Sequence, residues 1–388
     1  MNLVIFSHPS FIRSQSMPRF ATMLAEGMRV RGHEVQMWSP DAFFYRLPVS
    51  PGLKKWLGYI DQFFLFPLKT TLRIKRCSDN TLFIFSDQAL GPWVPMVVKR
   101  PHVIHCHDFL AQHSALGYIP ENKTGATGKV YQSIIFKGYS KGKHFISVSK
   151  KTQEDLHQLL SSSPLTSEVV YNGLNQSFKS LDPLQARKEL GNYFKINLSK
   201  GFLLHVGGNQ WYKNRPGVIK IYDAWRQSNT SSIPLLLIGE SPDTKLLEAY
   251  SKSPFKSSIH ISTGIEDKWV RMAYAGAIVF LFPSYAEGFG WPIAEAMASG
   301  CPVITTRERP MTEVGNGVAF YIDKSLLSES GYKNWAKEGA RVVDKIVSLT
   351  NEERENIIIK GFQNCKRFDT SVTIDKIEEI YKKVISYQ

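Results

Sequence analysis

A chain of 388 residues, 43% hydrophobic and 21% charged, is too long for one compact core and reads as two domains. It has no apolar run of membrane-spanning length, and its four scattered cysteines, Cys77, Cys106, Cys301 and Cys365, form no C-x-x-C pair, which argues against a zinc site or a disulfide framework and fits a reducing cytoplasm. The formal charge of +14 is uneven: residues 1–180 hold 21 Lys and Arg against 11 Asp and Glu, pointing to an acidic partner such as a membrane surface, a phosphorylated acceptor or nucleic acid.

The apolar start Met1–Phe6 lacks a basic lead and a cleavage site, so it reads as a first strand and not as a signal peptide. A loop follows to Pro18, then a helix over 19–31 with Phe20, Met23, Leu24 and Met28 at helical spacing, and a second strand over 33–39. This is a βαβ opening whose first loop lies at a strand's carboxyl end, where open α/β sheets bind ligands. Segment 51–76 mixes Trp56, Tyr59, Phe63, Phe64, Leu65 and Phe66 with six Lys and Arg, and its one acidic residue is Asp61. Two readings stand: an interfacial helix docking on anionic lipid, or a core helix with a basic outer face. No DNA- or RNA-binding motif accompanies the charge, so nucleic acid is not an expected partner.

Strands are expected over 81–86 and 102–107, the latter ending in Ile104-His105-Cys106-His107-Asp108. No fourth ligand lies nearby, so this cluster is not read as a metal site. A strand over 143–149, a helix starting near Lys150 and a strand over 168–171 close a first domain, assigned to residues 1–180. A polar linker is expected over 181–200. The second domain, 201–370, opens with a strand followed by Gly207-Gly208-Asn209 and, ahead of a helix, Lys213. A glycine loop with a lysine before a helix outlines a phosphate cradle, although the G-x-x-x-x-G-K-[ST] spacing is absent.

The most informative stretch is Phe282–Thr306: the end of an apolar strand, a turn Glu287-Gly288-Phe289-Gly290, a helix opened by Pro292 and closed by Gly300, and another strand. Glu287 and Glu295 flank the free backbone N–H groups of the turn and first helical turn. A helix N-terminus attracts phosphate, whereas ionised carboxylates are pure acceptors and suit sugar hydroxyls. A ligand with both, a nucleotide sugar, satisfies the pair. Helices over 335–349, 351–367 and 371–387 complete the chain.

The string E-G-F-G-W-P-x-x-E-A-M-A-x-G-x-P-V-I resembles the E-x7-E signature of family 4 retaining glycosyltransferases. The resemblance implies an α/β GT-B fold: two Rossmann-like domains facing each other across a cleft, with a C-terminal helix, 371–388, crossing back to the first domain. It implies a nucleotide-sugar donor, UDP-glucose first and GDP-mannose second; the basic, aromatic segment 51–76 adds the expectation of a saccharide or lipid-linked saccharide acceptor, and with it polysaccharide or glycolipid synthesis. Residue by residue it assigns the ribose hydroxyls to Glu295, and the donor sugar and phosphate to Glu287 with Gly288 and the N–H groups of Phe289, Gly290 and Trp291. The departing diphosphate falls to Lys213 beside Gly208 and Asn209, the nucleobase to backbone at Ile265, and the donor sugar also to His107. Retention would follow from attack on the face the diphosphate leaves, the leaving phosphate accepting the acceptor's proton, with Glu287 as a covalent nucleophile the second-ranked route.

Two departures stand out. Relatives carry a Gly-Gly pair in the first loop where this chain has Gln15-Ser16, with Arg13 or Arg19 available to compensate, and Tyr212 stands where many have arginine. No D-x-D triplet occurs, so no metal is expected and Lys213 takes the cation's place. The rivals are a dinucleotide-dependent oxidoreductase, disfavoured by the absence of G-x-G-x-x-G after a strand, and a basic membrane- or nucleic-acid-binding scaffold with an inactive cleft. The expected location is cytoplasmic, on the inner face of the membrane if segment 51–76 docks there.

Overall fold

Strands buried along their whole length, such as Leu82–Phe85 and Val279–Phe282, belong to parallel sheets covered on both faces. The computed structural model builds two such sheets; it describes residues 1–11, 16–175, 177–325 and 329–387. The chain divides into one unit of Met1–Tyr171 with Ser371–Gln388 and a second of Asn172–Thr370.

The first unit holds β1 (Asn2–Phe6), β2 (Glu34–Trp38), β3 (Leu82–Phe85), β4 (His102–Cys106), β5 (His144–Ser147) and β6 (Thr166–Val169), ordered β2-β1-β3-β4-β5-β6. All pairs are parallel, with Leu3 opposite Leu82 and Phe6 opposite Phe85. The order reverses between β1 and β3. Large side chains fill this core: Phe6 stacks on Phe85 at 4.7 Å, and Phe66 meets Trp93 at 4.6 Å. The C-terminal helix Thr370–Ser386 packs in this unit. Arg31 Nε donates to Asp375 (2.8 Å), His33 pairs with Glu378 (2.7 Å), and Tyr381 reaches His105 (2.6 Å).

The second unit holds β7 (Leu203–Gly207), β8 (Leu235–Gly239), β9 (Ile259–Thr263), β10 (Val279–Phe282), β11 (Val303–Thr306) and β12 (Phe320–Ile322), ordered β12-β11-β10-β7-β8-β9. This is the Rossmann order, and it reverses between β7 and β10. Gly239 is required by a close approach: a Cβ there would stand 1.8 Å from the Gly207 carbonyl oxygen.

Residues 181–200, expected as a linker, instead hold a helix, Pro183–Phe194, within the second unit. Asp182 caps it and Pro183 begins it. Ala186 and Leu190 alone are buried along it, which is why its apolar pattern is faint in the sequence. It is fastened by Arg187 Nε donating to the Gly276 carbonyl (2.8 Å) and by Tyr193 stacking on Trp269 (4.2 Å).

Segment 51–76 forms one winding run: an α-helix Pro51–Ile60, a π-helical turn Asp61–Leu65 and an α-helix Phe66–Ile74. Gly58, Gln62, Phe66, Thr70 and Ile74 face the core at four-residue spacing. The opposite stripe, Leu53, Trp56, Ile60, Phe64, Leu68 and Leu72, is exposed, between 41% and 69% each. Among the described residues, no helix is long and apolar enough to cross a membrane.

Candidate functional site

Both loops that the sequence singles out in the second half leave the sheet at its reversal point. The Gly207–Lys213 loop follows β7, and the Glu287 turn follows β10. Open α/β sheets bind ligands at such points, outside the strands' carboxyl ends.

Lys213 and Glu287, distant in sequence, are joined there. The ammonium Nζ lies 2.8 Å from Oε1 and 3.0 Å from Oε2 of Glu287, and the two side chains are 13% and 8% exposed. The ammonium also lies over the Phe282 ring at 5.0 Å. The Tyr285 N–H donates to the Tyr212 carbonyl (2.7 Å), tying the two loops together beside this pair. Gly290 caps the following helix, Trp291–Ala298, with φ of +94°, a left-handed conformation that a side chain would strain. Pro292 lies in the first helical turn, as the sequence indicates. Trp291 fixes the turn by donating Nε1–H to the Gly173 carbonyl (3.3 Å), and Phe289 is buried edge-on against Phe368 at 5.4 Å.

Glu295, half-buried on that helix, accepts a hydrogen bond from the Tyr274 hydroxyl at 3.1 Å. Burial, with the Glu295 charge beside it, pushes Tyr274 well above an ordinary phenol, so it stays a donor. Gly208 and Asn209 sit in the glycine loop, where the Asn209 N–H donates to Glu240 Oε2 (2.9 Å). Arg215, 2% exposed, braces the loop from beneath through Nη1 to Asn209 Oδ1 and to the Glu240 carbonyl (3.0 Å). His205 lies under the loop with Nδ1 donating to the Leu281 carbonyl (2.8 Å). Burial, and then the charges of Arg215 and Lys213, push its pKa down to about 3, so the ring is neutral. Ile265 is half-buried between β9 and the helix Asp267–Gly276.

In the first unit, His107 is buried after β4. Its Nε2 bonds the Ser86 carbonyl at 2.9 Å, and its edge meets Phe20 at 4.5 Å. Burial lowers its pKa, which keeps it neutral. Of the first-loop expectations, Arg13, Gln15 and the Ser16 side chain lie outside the described residues; Arg19 lies in the helix Ser16–Val30. The structure thus brings Lys213, Glu287, Gly208, Asn209 and the 288–295 turn and helix together in one unit, with His107 in the other.

Sequence reasoning passed over Glu240 and Arg215, which hold the glycine loop, and the pair His8–Asp87. For Glu240, His8 and Asp87 the signal was positional, each lying just beyond the carboxyl end of a strand; Arg215 instead opens the helix Arg215–Ser228.

A fold of two parallel-sheet units with this site defines the GT-B class of glycosyltransferases. Likeness to solved structures agrees. Sucrose-phosphate synthase from Thermosynechococcus elongatus matches at TM-score 0.72 over 100% of both chains at 14% identity. Anabaena HepE, solved with UDP and glucose, matches at 0.71 over 98% of this chain and 99% of its own at 16% identity. The family called Glycosyltransferase Family 4 matches residues 17–178 and that called Glycosyl transferases group 1 matches residues 187–361. The chain belongs to the family 4 glycosyltransferases. It is similar to the O-antigen chain mannosyltransferase B of Escherichia coli, 30% identical over 30% of this chain and 31% of that one. It is also similar to the O-antigen chain mannosyltransferase RfbU of Salmonella typhimurium, 26% identical over 58% of each. These two matches therefore span about a third and over half of those relatives. The phosphatidyl-myo-inositol mannosyltransferase of Mycobacterium leprae aligns at 23% identity over 93% of this chain and 91% of its own.

Proposed function

We propose that the protein transfers a hexosyl group from a nucleotide sugar to a saccharide or lipid-linked saccharide, with retention and without a metal ion. The observation that carries this reading is the Lys213–Glu287 pair at the reversal point of the second sheet. A lysine held by a carboxylate at the mouth of a glycine loop is a cation poised for a diphosphate, and the same carboxylate, released, is an acceptor for sugar hydroxyls. In this reading Glu295 takes the ribose hydroxyls. Gly208, Asn209 and the N–H groups of Phe289, Gly290 and Trp291 take the phosphates. Ile265 presents backbone to the base, and His107 contributes to the donor sugar. The acceptor's proton passes to the leaving phosphate.

UDP-glucose is the first donor expected from the sequence. Several relatives are named for mannosyl transfer, which makes GDP-mannose the alternative to test beside it. The test is calorimetric titration with UDP, GDP, UDP-glucose, GDP-mannose and NAD, with EDTA present. Binding of one nucleotide sugar supports the reading and names the base; binding of NAD alone overturns it. Glu295→Ala is expected to weaken binding of that nucleotide by about tenfold to a hundredfold, the size of hydrogen bonds to a charged acceptor. An unchanged affinity would remove Glu295 from the ribose.

The exposed stripe of 51–74 supports attachment to an anionic bilayer on its cytoplasmic face. Asp61, the segment's one carboxylate, is buried, accepting from the N–H groups of Phe43, Phe44 and Tyr45 at 3.1, 3.0 and 2.9 Å. The outer face is therefore apolar with Lys55, Lys69, Arg73, Lys75 and Arg76 exposed beside it, and no acid opposes them on this segment. Each such cation adds about 1 kcal/mol near an anionic surface. Reversing Lys55, Lys69, Arg73 and Lys75 to Glu should cut sedimentation with phosphatidylglycerol vesicles by about a thousandfold in affinity or more. Undiminished sedimentation would mean that another partner covers the stripe.

A further inference from the structure

The glycine loop after β7 has β10 on one side of its strand and β8 on the other, and a carboxylate reaches it from each. From β10 comes Glu287, whose oxygens lie 2.8 and 3.0 Å from the Lys213 ammonium. From β8 comes Glu240, the residue directly after the strand. The register sets Gly207 opposite Gly239, so the next residues, Gly208 and Glu240, adjoin. Glu240 Oε2 accepts the Asn209 N–H at 2.9 Å, and Gln210 Nε2 lies 3.5 Å from Oε1. A Cβ on Gly208 would stand 2.9 Å from the Glu240 carboxyl carbon and from Oε1, so the missing side chain is what lets the carboxylate lie on the loop. The two carboxylates differ in how they are held. Glu287 is 8% exposed and grips one ammonium with both oxygens, whereas Glu240 is exposed and is held at short distance by one main-chain N–H.

We propose that Glu240 is a displaceable occupant of the phosphate subsite: its carboxylate holds the Asn209 N–H until a nucleoside diphosphate takes that N–H over, and returns to it as the product nucleoside diphosphate leaves. The inference rests on the glycosyl-transfer reading above, in which Asn209 contributes to the phosphates, and adds a residue that sets how tightly they are held. Carboxylate and phosphate oxygens are both acceptors, so they exclude each other from one N–H. Both are also negative, so the displaced carboxylate swings into solvent, which its exposed position permits. Its lost hydrogen bond is subtracted from the affinity of every ligand that needs that N–H. A ligand without a phosphate leaves the carboxylate in place and loses nothing. Such an occupant keeps the loop in shape between turnovers and speeds release of the product, a step that limits many enzymes.

Two variants at this position separate an occupant from a brace. Glu240→Gln keeps the length of the side chain and an oxygen for the Asn209 N–H but removes the charge. Glu240→Ala removes both. Glu248→Gln, which deletes an exposed carboxylate on the helix Thr244–Lys252, controls for net charge. Each protein is titrated with UDP, GDP, uridine, guanosine and inorganic pyrophosphate, at about 0.05 M and about 0.5 M NaCl, since exposed charges are screened in the second. Affinity for the nucleoside diphosphate that the wild type binds should rise about tenfold in Glu240→Ala and about threefold in Glu240→Gln at low salt, the size of one hydrogen bond to a charged group at an exposed site. The gain should shrink at high salt. Pyrophosphate should gain likewise, the matching nucleoside should not, and Glu248→Gln should behave as the wild type. Unchanged or weaker affinity in both Glu240 variants would make Glu240 a brace or a nucleotide contact and overturn the proposal. An equal gain for the nucleoside, or in Glu248→Gln, would overturn it too. If Glu240→Ala does not fold, Glu240→Gln decides alone. A gain for pyrophosphate with no nucleotide bound by any of the proteins would keep the role of Glu240 and remove the glycosyl-transfer reading instead; binding of none of these probes would remove both.

Discussion

Lys213→Ala should lower turnover by about a hundredfold or more while leaving the fold intact once its partner is neutralised. Removing one preorganised contact to developing charge typically costs two to three orders of magnitude in rate, about 3–4 kcal/mol, because the contact acts in a water-poor site and needs no reorganisation. Lys213 has few substitutes: its neighbour Tyr212 carries no charge, and Arg215 is engaged beneath the loop with Asn209 and the Glu240 carbonyl. A confound follows from the geometry. Glu287 is 8% exposed, and deleting its partner leaves a nearly buried carboxylate unpaired, which is itself destabilising. The informative comparison is therefore Lys213→Ala against Lys213→Ala with Glu287→Gln. The double variant should recover thermal stability without recovering turnover. Recovery of both would mean that Lys213 serves the fold and not the leaving group. Near-normal turnover in the single variant would remove the leaving-group account directly.

The first unit should unfold in mild acid before the second. His105 is buried against Tyr381, and burial pushes its pKa down to about 3; His144 is pushed down to about 4 for the same first reason. His102 and His107 are lowered too, again chiefly by burial. In the unfolded chain each of these rings takes a proton near pH 6.5, whereas the folded chain refuses it until a lower pH. Stability is therefore complete above about pH 6.5 and drains as pH falls toward the folded values, at up to about 1.4 kcal/mol per pH unit for each fully buried ring. His105 alone would remove about 3 kcal/mol between pH 6.5 and 4, a large fraction of a domain's net stability. Asp87, held below its ordinary value, adds to the loss at still lower pH. The second unit carries fewer such rings: His205, at about 3, and His260, lowered by burial. Hydrogen exchange followed by mass spectrometry at pH 7, 6, 5 and 4 reads the units separately. The first should lose protection at the higher pH, and His105→Gln should shift that loss toward acid. Simultaneous loss in both units, or no shift in His105→Gln, would contradict the assignment.

The turn and helix start of the second unit's candidate site were legible in the sequence because these parts are local. A turn, a proline at the helix start and two glutamates eight apart lie on one short stretch, and a βαβ unit displays such a stretch at its strand ends. Local pattern likewise foretold the strands. It failed at 181–200, where burying Ala186 and Leu190 alone was enough to hold a helix against its neighbours. It left 51–76 undecided because the same residues supply both an inner and an outer apolar face. A helix apolar on two sides gives no periodicity from which to choose, and only the packed structure shows which side is covered.

The sequence by itself determined the glycine loop and the glutamate-bearing turn, since these depend on residues close together along the chain, and the resemblance carried by that turn implied the class of fold. Tertiary structure alone decided which distant groups meet. It set Lys213 between the two oxygens of Glu287, set Arg215 under the loop, buried Asp61 against the 43–45 backbone, and joined His8 to Asp87 over the first sheet. Strand order is the physical reason. Placing β1 beside β3 and β7 beside β10 brings together residues beyond the strand ends that are 79 and 74 positions apart, and no spacing along the sequence encodes that adjacency.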